Sequence, residues 1–134
     1  MKVSVDSTQE ALVGVWRLVA YEDRESEREP WSHTFGKDPV GLGIYHPTGL
    51  LAMQVFADRD SPSTAEYVGY VGTYHLREHR QDGDVFSGVV EHHMQAASDP
   101  ELLEEDPSRP FTVSGDHLVL GDGQTWRRLF ERVV

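Results

Sequence analysis

The stretch Leu12-Val-Gly-Val-Trp-Arg-Leu-Val-Ala-Tyr21 constrains this chain more than any other, because it reads as a strand that is apolar in both directions. Alternation puts Trp16, Leu18 and Ala20 on one face and Arg17, Val19 and Tyr21 on the other. A strand of that kind suits a closed sheet. Gly14 lets the backbone bend where the chain enters, and Ser7-Thr-Gln-Glu10 has the spacing of a capping box, which predicts one short helical turn across the end of the sheet. The 134 residues are enough for one domain with a real core and leave little room for another, so residues 1–134 read as a single domain.

Beyond Tyr21, the charged run Glu22–Glu29 reads as a solvated hairpin loop. Pro30–Phe35 re-enters apolar territory as a short second strand, whose Trp31 and Phe35 either line the mouth of a cavity or only cover the end of the core. Gly41–Tyr45, the turn His46-Pro-Thr-Gly49 and Leu50–Phe56 form the clearest hairpin in the chain, with Gly49 placed for positive φ. Ala52, Gln54 and Phe56 share one face of its second strand, where Gln54 must reach solvent or find a buried partner. Asp58–Thr64 is turn-rich, with Ser61 or Ser63 able to cap a short helix through Ala65–Tyr67.

Tyr70–Leu76 is again strand-like, and Gln81–Asp84 turns it into a long strand, Val85–Ala97. That strand places Val90, His92, Met94 and Ala96 on one face and Glu91, His93 and Gln95 on the other. Asp99–Pro110 is acidic and interrupted by three prolines, which reads as a flap or long loop rather than a central strand. Phe111–Val113, His117–Leu120 and Thr125–Arg132 finish the chain as a meander. The sum is all-β: an antiparallel barrel of about eight to nine strands with one or two short helices, its interior either filled by side chains or holding one small ligand.

Net charge of −11 and a pI near 4.9 argue against nucleic acid and against anionic membrane surfaces as partners. No cysteine is present to form a disulfide, act as a nucleophile or bind a metal. The N-terminus reaches an acidic residue before any apolar run long enough for a signal peptide, so a cytoplasmic protein is expected.

Gly14-x-Trp16 opening the first strand, answered by a late Arg127 or Arg128, resembles the lipocalins, in which such an arginine packs over such a tryptophan. The wider set resembles the cytoplasmic lipocalin-like domain family of bacteria and fungi. It comprises Trp16-Arg-Leu-Val, Tyr45 with Gly49 and Gln54, Tyr67-x-x-Tyr70-x-Gly72-x-Tyr74 and Val90-x-His92-x-Met94. The chain departs from that pattern after His92, where a Trp-x-Gly segment is usual and Glu101-Leu-Leu-Glu-Glu-Asp106 stands instead. The resemblance implies a barrel and a small-molecule role near secondary metabolism, without naming a reaction.

Seven histidines invite a metal site, but His75 and His79 on an extended strand stand roughly 13 Å apart, and His92 and His93 point to opposite faces, so no metal is expected. His92 is the stronger candidate, on an inward face with Tyr45, Tyr70, Tyr74 and Gln54. Histidine moves protons near neutral pH and phenols donate to a developing oxyanion, so His92, Tyr74 and Tyr45 are the catalytic candidates. The alternative is a core histidine satisfied by a tyrosine hydroxyl and a carbonyl. Trp31, Phe35, Gln54, Phe56, Tyr70 and Met94 are the ligand-binding candidates.

No serine-hydrolase elbow, P-loop or dinucleotide fingerprint appears, so any enzyme here would be a cofactor-free isomerase or cyclase on an apolar metabolite. A carrier or sensor using the same cavity, and a filled barrel acting as an interaction module, are the alternatives. The expected partners are an apolar small-molecule ligand or substrate and a second copy of the chain in a homodimer.

Overall fold

The computed structural model describes residues 5–134, with side chains from Ser7 onward. A helix, α1 (Val5–Leu12), leads into β1 (Gly14–Asp23) and β2 (Ser32–His33), then the hairpin β3 (Val40–Tyr45) and β4 (Leu50–Phe56). The long pair β5 (Tyr67–Asp82) and β6 (Val85–Ala97) follows, then a 3-10 turn (Pro100–Glu104), β7 (Ser108–Ser114), β8 (His117–Leu120) and β9 (Trp126–Arg132). Every pairing is antiparallel, and β1 pairs with both β3 and β9. Eight strands therefore close a barrel, and β2 is an extra strand laid against the end of β1. Closure explains why β1 is apolar on both faces only in part. Trp16 and Leu18 are buried, whereas Val19 stands on the outer wall.

One end is sealed from the sequence upward. Trp16 is fully buried, its indole N–H donates to the Leu12 carbonyl at 2.8 Å, and the Arg132 guanidinium lies 4.2 Å from its ring centroid. Arg132 also donates to the carbonyls of Val13 and Ala11, so the same cation closes the barrel and satisfies main-chain acceptors at the end of α1. The expected partners Arg127 and Arg128 do other work, because the antiparallel register sets Trp16 opposite Arg132 and Tyr21 opposite Arg128. Arg127 stacks on Trp31 and Arg128 on Tyr21. The glycines of β3 make room inside this end: a Cβ at Gly43, opposite Trp16, would fall 2.7 Å from the Met53 sulfur.

Several expectations are corrected. The helix begins no later than Val5, so Ser7 lies within it rather than capping it. Glu22 and Asp23 belong to β1, and Glu22 is buried, ion-paired to Arg127 and in hydrogen-bond contact with His33, instead of standing in a solvated loop. No helix forms at Ala65–Tyr67; Ser61 donates to Asp58 and accepts from the Lys37 N–H, which ties the loop down without helical turns. Pro110 lies within β7, opposite Val89, because an extended backbone suits proline and its carbonyl still accepts from the Gly121 N–H. Bulges break the simple alternation. The register slips at Val19, which turns Tyr21 inward, and between Met94 and Ala96, which leaves Ala96 outside. No helix among the described residues is long and apolar enough to cross a membrane.

Candidate functional site

The half of the barrel away from α1 is not filled. A cavity of about 260 Å³ opens there, walled by Leu18, Met53, Val55, Val68, Met94, Leu120 and Phe130. The buried Leu12, Trp16 and Tyr45 do not line it. Tyr21, Tyr70, Trp126, Arg109 and Arg128 give the cavity its polar groups, and Leu102, Glu105 and Asp106 stand at its rim. The stretch read as a flap thus contributes to the mouth, with its first part wound into the 3-10 turn capped by Asp99.

His92 lies behind this cavity wall, buried between two phenols. Its Nε2 is 2.6 Å from the Tyr45 hydroxyl and its Nδ1 is 3.0 Å from the Tyr70 hydroxyl. Burial, helped by the nearby Arg109 and His93, holds the imidazole well below its ordinary pKa. Burial pushes Tyr45 well above the usual phenol value and Tyr70 up to about 12, the latter opposed by Arg109. All three groups are therefore neutral near pH 7.

A neutral imidazole has one donor and one acceptor. Tyr45 is sealed in the core, with His92 the partner its hydroxyl reaches, so the arrangement that wastes no buried proton has Tyr45 O–H donating to Nε2. Nδ1–H then donates to the Tyr70 oxygen. Tyr70 keeps its own proton for the cavity.

Of the expected site residues, Tyr45, Tyr70 and His92 come together, and Tyr70 and Met94 line the cavity. Tyr74 packs edge-on against Tyr45 at 5.0 Å but turns its hydroxyl to the His46 carbonyl and Gln9, toward α1. Gln54 and Phe56 face outward, because the register pairs Gly43 with Met53 and so gives the inside of β4 to Leu51, Met53 and Val55. Phe35 is buried against Tyr21, and Trp31 lies between Arg24 and Arg127 on the outer surface; neither lines the cavity.

Sequence reasoning missed Tyr21, Arg109, Arg128, Leu120 and Phe130. Parity from Phe111 and Val113 points to Arg109, once β7 is extended back through Pro110. Among the described residues no group of three or more histidines and carboxylates is placed to hold a metal ion.

A closed antiparallel barrel, plugged at one end and hollow at the other, is an architecture compatible with holding a small molecule. The family model described as a lipocalin-like domain matches residues 13–66 and 58–131, and the chain belongs to that family. No curated protein and no solved structure matches the chain.

Proposed function

We propose that this protein binds a small, largely apolar metabolite inside the barrel. The observation that carries the reading is the cavity itself: about 260 Å³, walled by aliphatic and aromatic side chains, with a few convergent polar groups at one corner. Its volume lies just under the roughly 300–1,000 Å³ of ordinary ligand sites, which favours a molecule of one or two rings. Absence of cysteine supports a cytoplasmic setting.

The cofactor-independent isomerase or cyclase reading takes a restricted form. A depressed imidazole is a poor proton acceptor and an elevated phenol a poor proton donor, which argues against His92 as a proton carrier at neutral pH and leaves hydrogen bonding as the role of this group. Tyr70 would instead donate to a carbonyl oxygen of the substrate, with His92 and Tyr45 as positioning residues and the cavity supplying shape. The alternative, a carrier or sensor, uses the same contacts without turnover. Val68→Trp, which fills the space, is expected to abolish the thermal shift and the change in Trp126 fluorescence that small neutral aromatics cause in the wild type. If the filled variant still responds, the cavity is not the site. Incubating a bound ligand and separating it afterwards distinguishes the two forms: an isomer of unchanged mass supports catalysis, and unchanged ligand supports carriage.

The second partner we propose is another copy of the chain. Val40, Leu42, Ile44, Leu50, Phe56, Tyr67 and Val71 stand on the outer face of β3, β4 and β5, from 37% exposed at Ile44 to 67% at Val40. Register joins them across the strands: Val40 beside Phe56 beside Tyr67, and Ile44 beside Ala52 beside Val71. At on the order of 150–200 Å² for a large side chain, the patch presents roughly 600 Å². That reaches the upper limit for a monomer's largest patch and approaches the roughly 800 Å² per partner of a standard interface. No charged residue interrupts these rows, so two copies meeting there would not oppose like charges despite a net charge of −11 each.

A further inference from the structure

Among the described residues, Arg109 is the inward-facing arginine that no carboxylate touches. Arg128 pairs with Asp23 at 3.1 Å and Arg132 with Asp116 at 3.6 Å, whereas no acidic oxygen among the described residues lies within 4 Å of Arg109. Its Nη1 donates to the main-chain carbonyl of Asp106, and the rest of the guanidinium borders the cavity. A guanidinium has five N–H donors and cannot shed its charge; the Asp106 carboxylate feels that charge from beyond contact distance, and the donors facing the cavity are left without an acidic partner in contact. In a chain with 23 Asp and Glu against 12 Lys and Arg, leaving this cation without a carboxylate in contact is not for want of carboxylates. The Tyr70 hydroxyl, 3.0 Å from His92 Nδ1, borders the same corner, and in the tautomer argued above it accepts from His92 and keeps its proton for the cavity. The corner therefore offers donors and, besides Arg128 with its Asp23 partner, one cation that no carboxylate touches. Glu105 and Asp106 stand at the rim, where they disfavour a dianion.

Building on the proposed small-molecule role, we infer that the natural ligand is a monocarboxylate, its apolar body against Leu18, Met53, Val55 and Phe130 and its carboxylate on Arg109 and Tyr70. Arg109 supplies the charge-assisted hydrogen bonds and Tyr70 the neutral one. His92 and Tyr45 hold Tyr70 in the orientation that leaves its proton pointing at the carboxylate.

The test compares 3-phenylpropanoate and octanoate, each with its neutral amide of the same size, by isothermal titration at pH 7.5. In the wild type the acids are expected to bind at least 10-fold more tightly than the amides, an advantage that shrinks with added salt. Arg109→Gln is expected to remove the acid's advantage while leaving amide binding within about 3-fold, and Tyr70→Phe to weaken acid and amide alike. Acid and amide binding equally to the wild type would overturn the carboxylate inference and leave the apolar-ligand reading standing. Neither pair binding, with no response to neutral aromatics either, would remove both. The wild-type comparison needs no variant to fold.

Discussion

His92 gives the structure its sharpest pH signature. The imidazole is buried between Tyr45 of β3 and Tyr70 of β5, and burial, with Arg109 of β7 beside it, disfavours its charged form. Its folded pKa is depressed, so the unfolded chain binds a proton that the native state refuses. Stability is therefore fully present above the unfolded value of about 6.5 and is lost as pH falls below it, approaching about 1.4 kcal/mol per pH unit. Between pH 7 and pH 5.5 the single group accounts for about 1 kcal/mol, or roughly half a molar in urea midpoint at an m-value of about 2 kcal/mol per molar. His92→Gln retains a donor and an acceptor and cannot titrate. Urea unfolding of both proteins at pH 7.5, 7.0, 6.5, 6.0 and 5.5 should show the wild type losing about 1 kcal/mol more than the variant across that range. The depressed carboxylates, such as Asp122 at about 2, lose their contribution only at much lower pH, so they leave this window clear. Parallel pH curves for wild type and variant would refute the buried, neutral imidazole and with it the donor arrangement through Tyr70.

Trp16→Ala is expected to cost about 3–5 kcal/mol in urea unfolding, as for a fully buried aromatic; Arg132→Met should cost less than this and fray α1 in hydrogen exchange, since Arg132 holds the Ala11 and Val13 carbonyls. Asp122→Ala should destabilise by about 1–3 kcal/mol, because this carboxylate accepts from the N–H groups of Gln124, Thr125 and Trp126. Leu42→Lys on the outer face is expected to convert a dimer into a monomer in sedimentation at unchanged melting temperature; a wild type that sediments as a monomer at high micromolar concentration would count against the self-association.

Strand parity was legible wherever the ladder runs unbroken. It is sufficient to put His92 and Met94 of β6 on the inside with Tyr45 of β3, and the hairpin at Gly49 follows from local turn chemistry. It fails at bulges, because one extra residue reverses every side chain beyond it and leaves no compositional mark; Tyr21 and Ala96 were misplaced for that reason. Gln54 and Phe56 were misplaced differently. Both faces of β4 are apolar, so only the pairing with β3 decides which one is inside. Arg109 was hidden by its prolines, which suggested a loop. Choosing between Arg127, Arg128 and Arg132 for Trp16 required the register of two strands at opposite ends of the chain, a quantity no local pattern encodes.

That same seam governs when the molecule becomes stable during folding. Arg17 and Glu131, paired across β1 and β9, are 114 residues apart in sequence, and closing a loop of that length costs about 4 kcal/mol of chain entropy before any contact returns it. The hairpins from β3 to β8 assemble locally, but Trp16 gains its covering cation and its β9 neighbours only when the last strand docks. Trp16 is thus expected to stay partly uncovered until that step, and a chain stalled before its final seven-residue strand presents an open sheet edge on both β1 and β8. Aggregation during refolding should therefore track the rate of seam closure, and substitutions in β9 should alter yield more than their effect on equilibrium stability implies.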